Sequence, residues 1–168
     1  MNTLSGRVRR FGDNIDTDMI TPGSTLQLNI EEMKKHAFSP IFPDFFQTVR
    51  DGDIIVAGSN FGCGSSREQA TAVVKELGIR IIVAESVARI YFRNCIALGI
   101  YPILCSGVSA LFREGDTIQV AFEQGLVRNP NTGKSALFKP LSGTPKEILE
   151  GGGILARLKD ICESARHH

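Results

Sequence analysis

Ser65, Ser66 and Arg67 stand in a row behind three glycines (Gly58, Gly62, Gly64), within the stretch Asn60-Phe-Gly-Cys-Gly-Ser-Ser-Arg-Glu-Gln-Ala70. Two hydroxyls beside a planar guanidinium suit a small carboxylate or a phosphate, because the fork can donate two parallel hydrogen bonds. The flanking residues say what must position them. Asp53-Ile-Ile-Val-Ala57 is a short, β-branched apolar run that reads as a buried strand. Behind the serines, Ala70, Val73, Val74 and Leu77 recur at i, i+3, i+4 and i+7, the spacing of an amphipathic helix. Ser65 with Glu68 three residues on fits a capping box, which predicts that the helix begins at the serines. A strand, a glycine turn and a helix start would bring unpaired N–H groups and the positive end of the helix dipole to the two hydroxyls, making an anion site. The plainer alternative is a helix cap with no ligand, since Ser-x-x-Glu before an apolar run is common.

Other glycine-loop chemistries fail on these residues. G-x-G-x-x-G needs glycine where Arg67 stands, and no Gly-Lys-Ser/Thr follows, so neither the dinucleotide nor the P-loop fingerprint is met. G-x-S-x-G fails for both serines, which argues against a hydrolase nucleophile elbow. Cys63 is an alternative nucleophile, but no acyl-transfer apparatus accompanies it.

The chain has 168 residues, enough for one domain with a substantial core. A formal net charge of +1 gives no reason to expect a nucleic acid or an anionic membrane as partner. No apolar run reaches membrane-spanning length and no signal-peptide apolar region opens the chain, so the expected location is cytoplasmic. Cys63, Cys95, Cys105 and Cys162 are scattered without a C-x-x-C pair, which gives no support for a disulfide scaffold or a self-contained zinc or iron–sulfur site. Residues 1–166 are expected to form a single domain. His167 and His168 read as the remnant of a purification tag.

In chain order, Leu4 to Phe11 alternates loosely, with Leu4, Val8 and Phe11 set against Arg7, Arg9 and Arg10, and reads as a strand. Gly12-Asp-Asn-Ile-Asp-Thr-Asp-Met-Ile-Thr-Pro-Gly23 reads as an Asx-rich loop, and its spacing does not make an EF-hand. Residues 30–46 read as short helical pieces around prolines, with Phe38, Phe42, Phe45 and Phe46 as core rather than a docking patch, and His36 on the surface. Arg80 to Ala84 and Ile100 to Leu104 read as strands, the second at a sheet edge or a strand start because of Pro102. Val87 to Leu98 reads as a helix closed by Gly99. This alternation implies a parallel or mixed sheet covered by helices. Beyond Gly115, residues 116–122, 126–128 and 135–138 read as a small antiparallel unit, followed by a helix from Pro145 and a last one over 154–161. Together these give an α/β fold with a mixed, partly parallel sheet flanked by helices.

The Asn60–Ala70 stretch closely resembles the signature of the swivelling domain of the aconitase superfamily. Its stand-alone form is the small subunit of 3-isopropylmalate dehydratase or homoaconitase, and the likeness runs over nearly the whole chain. The resemblance implies a swivelling β/β/α domain, residues 1–166, that moves a hydroxyl between adjacent carbons of a malate-type acid by dehydration and rehydration. It implies Ser65 as the base, Arg67 as the grip on a substrate carboxylate and Ser66 as a hydrogen-bonding neighbour. The Asp-Thr-Asp segment resembles a family loop in which Asp18 would orient a catalytic histidine of a partner. Ser24-Thr-Leu-Gln-Leu28 falls at the family's substrate-selecting loop, with Thr25 and Gln27 as substrate contacts. Many relatives carry Tyr-Leu there, followed by an apolar residue or by arginine; Gln27 is neither, and Gln69 replaces the more frequent histidine. The resemblance further implies no cofactor bound by this chain and a [4Fe–4S] cluster held by three cysteines of a large-subunit partner. Isopropylmalate, in leucine biosynthesis, ranks first as substrate, and homoaconitate or another substituted malate second. Competing classes are a non-catalytic anion-binding module, which would not require the Asp18 loop, and an independent serine or cysteine enzyme, for which partner residues are missing.

Overall fold

The computed structural model describes residues 3–166; the His167–His168 reading lies outside them. Ile-Ile-Val-Ala occurs twice, in β2 (Ile54–Ala57) and β3 (Ile81–Ala84), and all eight residues are buried. Such runs without polar alternation form strands covered on both faces. They pair in parallel, Ile55 with Ile82 through Ala57 with Ala84, and β3 pairs in parallel with β4 (Tyr101–Leu104). β4 is an edge strand, which accommodates Pro102. On the other side, β1 (Thr3–Arg10) runs parallel to β2 through Val8 to Arg10 and antiparallel to β5 (Thr117–Ala121) through Thr3 to Arg7. β6 (Leu126–Arg128) and β7 (Ser135–Leu137) continue the antiparallel half, giving the order β4-β3-β2-β1-β5-β6-β7. The mixed sheet is as expected, but the antiparallel strands are not a separate unit: they extend the same sheet.

The period-2 pleat divides two cores. Ile55, Ala57, Ile82 and Ala84 face the helices; Ile54, Val56, Ile81 and Val83 face a second cluster with Ile118, Val120 and Val127 of the antiparallel half. The helical layer holds α1 (Thr17–Ile20), α2 (Ile30–Met33), α3 (Phe45–Thr48), α4 (Glu68–Glu76) and α5 (Arg89–Leu98). Gly99, at φ 83°, ends α5 in the left-handed conformation that glycine adopts without strain. α6 (Thr144–Glu150) carries Pro145 in its first turn, and α7 (Ile154–Arg166) runs on to Arg166, past the expected end at Ile161. Phe38 and Phe45 are fully buried and make tilted ring contacts with Phe11, and Phe42 and Phe46 pack against the same core, so the aromatic cluster is core.

Arg9 departs from its expected outward position. It is 1% exposed, its guanidinium donates to Glu114 at 2.7 Å, Thr48 Oγ1 at 2.9 Å and Asp53 at 3.4 Å, and it lies over the rings of Phe42 and Phe45. Arg7 donates to both oxygens of the same Asp53, which holds its guanidinium above the usual pKa range. This pairing ties β1 to β2 and to α3 at the end of the sheet away from the glycine turn. Among the described residues, no helix is long and apolar enough to cross a membrane.

Candidate active site

The carboxyl ends of β1, β2 and β3 open into three loops that interlock, at the edge of a parallel sheet where ligands commonly bind. The β2 loop (58–67) lies between the other two. Its Gly62 N–H donates to Ile15 O at 2.7 Å, and Phe61 N–H donates to Ser86 O at 3.1 Å. Asp13 accepts from Ser59 N–H at 2.7 Å, and Asn60 Nδ2 donates to Asn14 Oδ1 at 3.1 Å. Gly62 is required by space: at φ 77°, a Cβ there would sit 2.2 Å from the buried Tyr91 ring of α5. Burial pushes the Tyr91 phenol and the neighbouring Cys95 thiol well above their ordinary pKa values, so both stay neutral packing groups.

These loops bring the two sequence motifs together. Thr17 Oγ1 lies 3.0 Å from Ser65 Oγ, and Thr17 N–H donates to Cys63 O at 2.9 Å. Arg67 Nη1 donates to Asp18 Oδ1 at 2.5 Å and to Thr21 O at 3.3 Å. Among the described residues, the Nε–Nη2 edge of Arg67 has no hydrogen-bond partner, which leaves one side of the fork for a carboxylate. Ser65 and Ser66 are exposed and Arg67 is half-buried, so the three groups present outward.

The capping box does not form. α4 starts at Glu68 with Arg67 at its N-cap and no side-chain cap hydrogen bond. Gly64, at φ 97°, and Ser65 belong to the preceding turn, and Ser65 turns toward Thr17 instead of back to the helix. The first-turn N–H groups of α4 are therefore left without a side-chain acceptor, which suits an anion. Asp16, not Ser65, makes the nearby cap: it heads α1 and accepts from Met19 N–H at 2.8 Å.

The Pro22–Leu28 loop folds as a tight turn above the Arg67–Asp18 pair; Asp18 Oδ1 lies 3.5 Å from where a Gly23 Cβ would be. Thr25 is buried on the underside of this turn, where its hydroxyl donates to Pro22 O at 2.6 Å. Gln27 is exposed, and its amide donates to Ser24 O at 2.8 Å. Cys63 is half-buried, Cys95 and Cys105 are buried in different cores, and Cys162 is exposed on α7. No group of three or more His, Cys, Asp or Glu side chains among the described residues is arranged to hold a metal. This donor set does not fit an iron–sulfur cluster. The sequence alone assigns no role to Thr17, Tyr91 or Asp13. Thr17 was the findable one, since it sits between Asp16 and Asp18 in the Asp-Thr-Asp segment.

A family profile described as the aconitase C-terminal domain matches residues 9–107, the span that contains all three loops. The chain is 45% identical to the 3-isopropylmalate dehydratase small subunit 1 of Methanopyrus kandleri, covering 94% of each chain. It is also 45% identical to the methanogen homoaconitase small subunit of Methanothermobacter thermautotrophicus, covering 90% of this chain and 88% of that one. Its structure is similar to a crystal structure of 3-isopropylmalate dehydratase from Methanocaldococcus jannaschii, with a TM-score of 0.90 at 36% identity over 98% of this chain and 99% of the other.

Proposed function

The chain belongs to the aconitase C-terminal domain family, and from that premise we propose that it is the small subunit of a hydro-lyase converting 2-isopropylmalate to 3-isopropylmalate. The product of the first half-reaction is the alkene, and rehydration in the opposite sense returns the hydroxyl to the neighbouring carbon. The observation that carries this reading is the meeting of two distant segments, in which Ser65 joins Thr17 and Arg67 joins Asp18 on one exposed edge. Simple anion binding needs the helix start alone and gives no reason for the second segment.

Ser65 is proposed to take the carbon-bound proton. A serine hydroxyl is a weak base at neutral pH, and it does this work only when donors and cations favour its charged oxygen. The uncapped start of α4 and the guanidinium of Arg67 supply that setting. The free edge of Arg67 would grip a substrate carboxylate, with Ser66 donating beside it. Asp18 holds the other edge of Arg67 and remains 67% exposed, open to a group contributed by a partner such as a histidine. A large subunit is implied by the names of the relatives. On this reading the large subunit also carries a [4Fe–4S] cluster, whose chemistry is Lewis-acid help for the departing hydroxyl, and the pair works in the cytoplasm.

Homoaconitate is the second reading. It is favoured by the polar amide of Gln27, which can serve a polar substrate end, and by the name of the 45%-identical methanogen relative. The test of the central assignment is Ser65→Ala in the complex with the large subunit. Turnover of isopropylmalate should vanish while substrate binding, measured by calorimetry, stays close to wild type. Near-normal turnover would remove Ser65 from the role of base.

A further inference from the structure

We propose that Thr17 is a positioning residue that fixes the Ser65 oxygen and donates a hydrogen bond to its charged form, which rests on the reading of Ser65 as base. Thr17 is 3% exposed and held on three sides. Its N–H donates to Cys63 O at 2.9 Å, its carbonyl accepts from Thr21 N–H at 2.8 Å, and the Asp16 cap fixes the helix turn it begins. Its side chain is β-branched and therefore stiff at χ1. The Oγ1 atom 3.0 Å from Ser65 Oγ is thus a fixed point against which the exposed serine is set. Gly64 keeps that contact open: a Cβ there would come within 3.3 Å of Thr17 Oγ1.

While Ser65 is neutral, either hydroxyl can donate. Once the Ser65 oxygen is charged it can only accept, so Thr17 becomes the donor by necessity. A hydrogen bond to a charged acceptor is roughly twice as strong as a neutral one, so the contact favours the charged form and lowers the pH at which Ser65 works. Thr17 keeps its own proton throughout. The ionisable groups of the two elements that meet here are Asp16 and Asp18 on one side and Cys63, Arg67 and Glu68 on the other, with Arg67 and Asp18 paired to each other.

The experiment compares wild type, Thr17→Val, Thr17→Ser and Ser65→Ala, each assembled with the large subunit, across a pH series. Thr17→Val should lower kcat about 10- to 100-fold, the scale of one hydrogen bond to a charged group, with KM nearly unchanged. It should also move the ascending limb of the pH profile to higher pH, while Thr17→Ser, which keeps the hydroxyl but loses the β-branch, should lose far less than Thr17→Val. If thermal melting shows Thr17→Val to be unfolded, Thr17→Ala carries the same expectations without adding a methyl group. A readout on the chain alone uses Ser65→Cys, with alkylation at position 65 followed by mass spectrometry against pH. Adding Thr17→Val should shift its midpoint upward. Wild-type kcat and an unshifted profile in Thr17→Val, with Ser65→Ala inactive, would overturn the role of Thr17 and leave Ser65 as base. Turnover by Ser65→Ala would overturn both. A loss in Thr17→Ser equal to that in Thr17→Val would reduce Thr17 to packing alone.

Discussion

Arg67 gives one edge of its guanidinium to Asp18 and Thr21 and has no hydrogen-bond partner among the described residues on the other, a division that a single ammonium cannot reproduce. Arg67→Lys in the assembled enzyme should therefore raise KM strongly, by the equivalent of roughly 1.5–3 kcal/mol. Steady-state kinetics checks this, and an unchanged KM would mean that the carboxylate binds elsewhere. Gln27 belongs to the same scale. Its amide folds back onto Ser24 O in a turn set above the Arg67–Asp18 pair. An arginine is too long and too strongly charged to rest in that turn, and its fork would reach for a second carboxylate. Gln27→Arg should shift the ratio of kcat/KM toward tricarboxylate substrates by about tenfold, or about 1.4 kcal/mol. Measuring both isopropylmalate and homoaconitate with each variant decides it, and a constant ratio would place specificity outside this residue. Sequence alone placed Ser65, Ser66, Arg67 and Asp18 in two short motifs, because the motif residues are local. It placed Ser65 wrongly as a cap, because Ser-x-x-Glu spacing does not reveal that Gly64 turns the serine toward Thr17.

Between elements, what was legible was periodicity. The doubled Ile-Ile-Val-Ala announces central strands, Gly99 announces the end of α5, and Pro102 announces an edge; each is a local steric rule. The ion cluster of Arg7, Arg9, Asp53 and Glu114 was not legible, because its bonded partners Arg9 and Glu114 are 105 positions apart and alternation in β1 assigns Arg9 to solvent. That cluster adds side-chain ties from β1 to the residue before β2 and to α3, beside the backbone pairing of the two strands. Asp53 is 4% exposed and serves two guanidinium groups as well as Arg50 N–H. Removing one partner of a buried pair leaves uncompensated charge, which costs about 3–5 kcal/mol, whereas an exposed partner is worth about 1 kcal/mol or less. Asp53→Asn should accordingly lower the urea midpoint by an amount equivalent to roughly 3 kcal/mol. Glu114→Gln, at a side chain 44% exposed, should cost about 1 kcal/mol or less. Equal effects from the two would mean that Asp53 is not the centre of the cluster.

At the scale of the whole molecule, the sheet places every proposed reactive group on one open edge and leaves them facing water. Asp18 is 67% exposed, and Ser65 and Ser66 are exposed as well. Preorganised charge stabilises a developing charge far better when water is excluded, because the same dipoles act through a lower dielectric. A serine oxygen in open solvent would be hydrated or protonated before it could act on a carbon-bound proton. On the proposed reading this edge is half of a site, and a covering surface would supply the rest. The four cysteines are dispersed between a loop, two separate cores and α7, so among the described residues iron and sulfide have no common point of attachment. Both considerations lead to one prediction. The chain alone, incubated with ferrous iron and sulfide under reducing conditions and passed through gel filtration, should emerge without an iron–sulfur absorption band and without dehydratase activity. Adding the separately reconstituted large subunit should produce turnover that saturates with the concentration of this chain, and Ser65→Ala should saturate in the same way in a pull-down while yielding no turnover. A stable band or measurable turnover from the chain by itself would mean that the reaction needs no second protein, and the division of labour between two chains would fall with it.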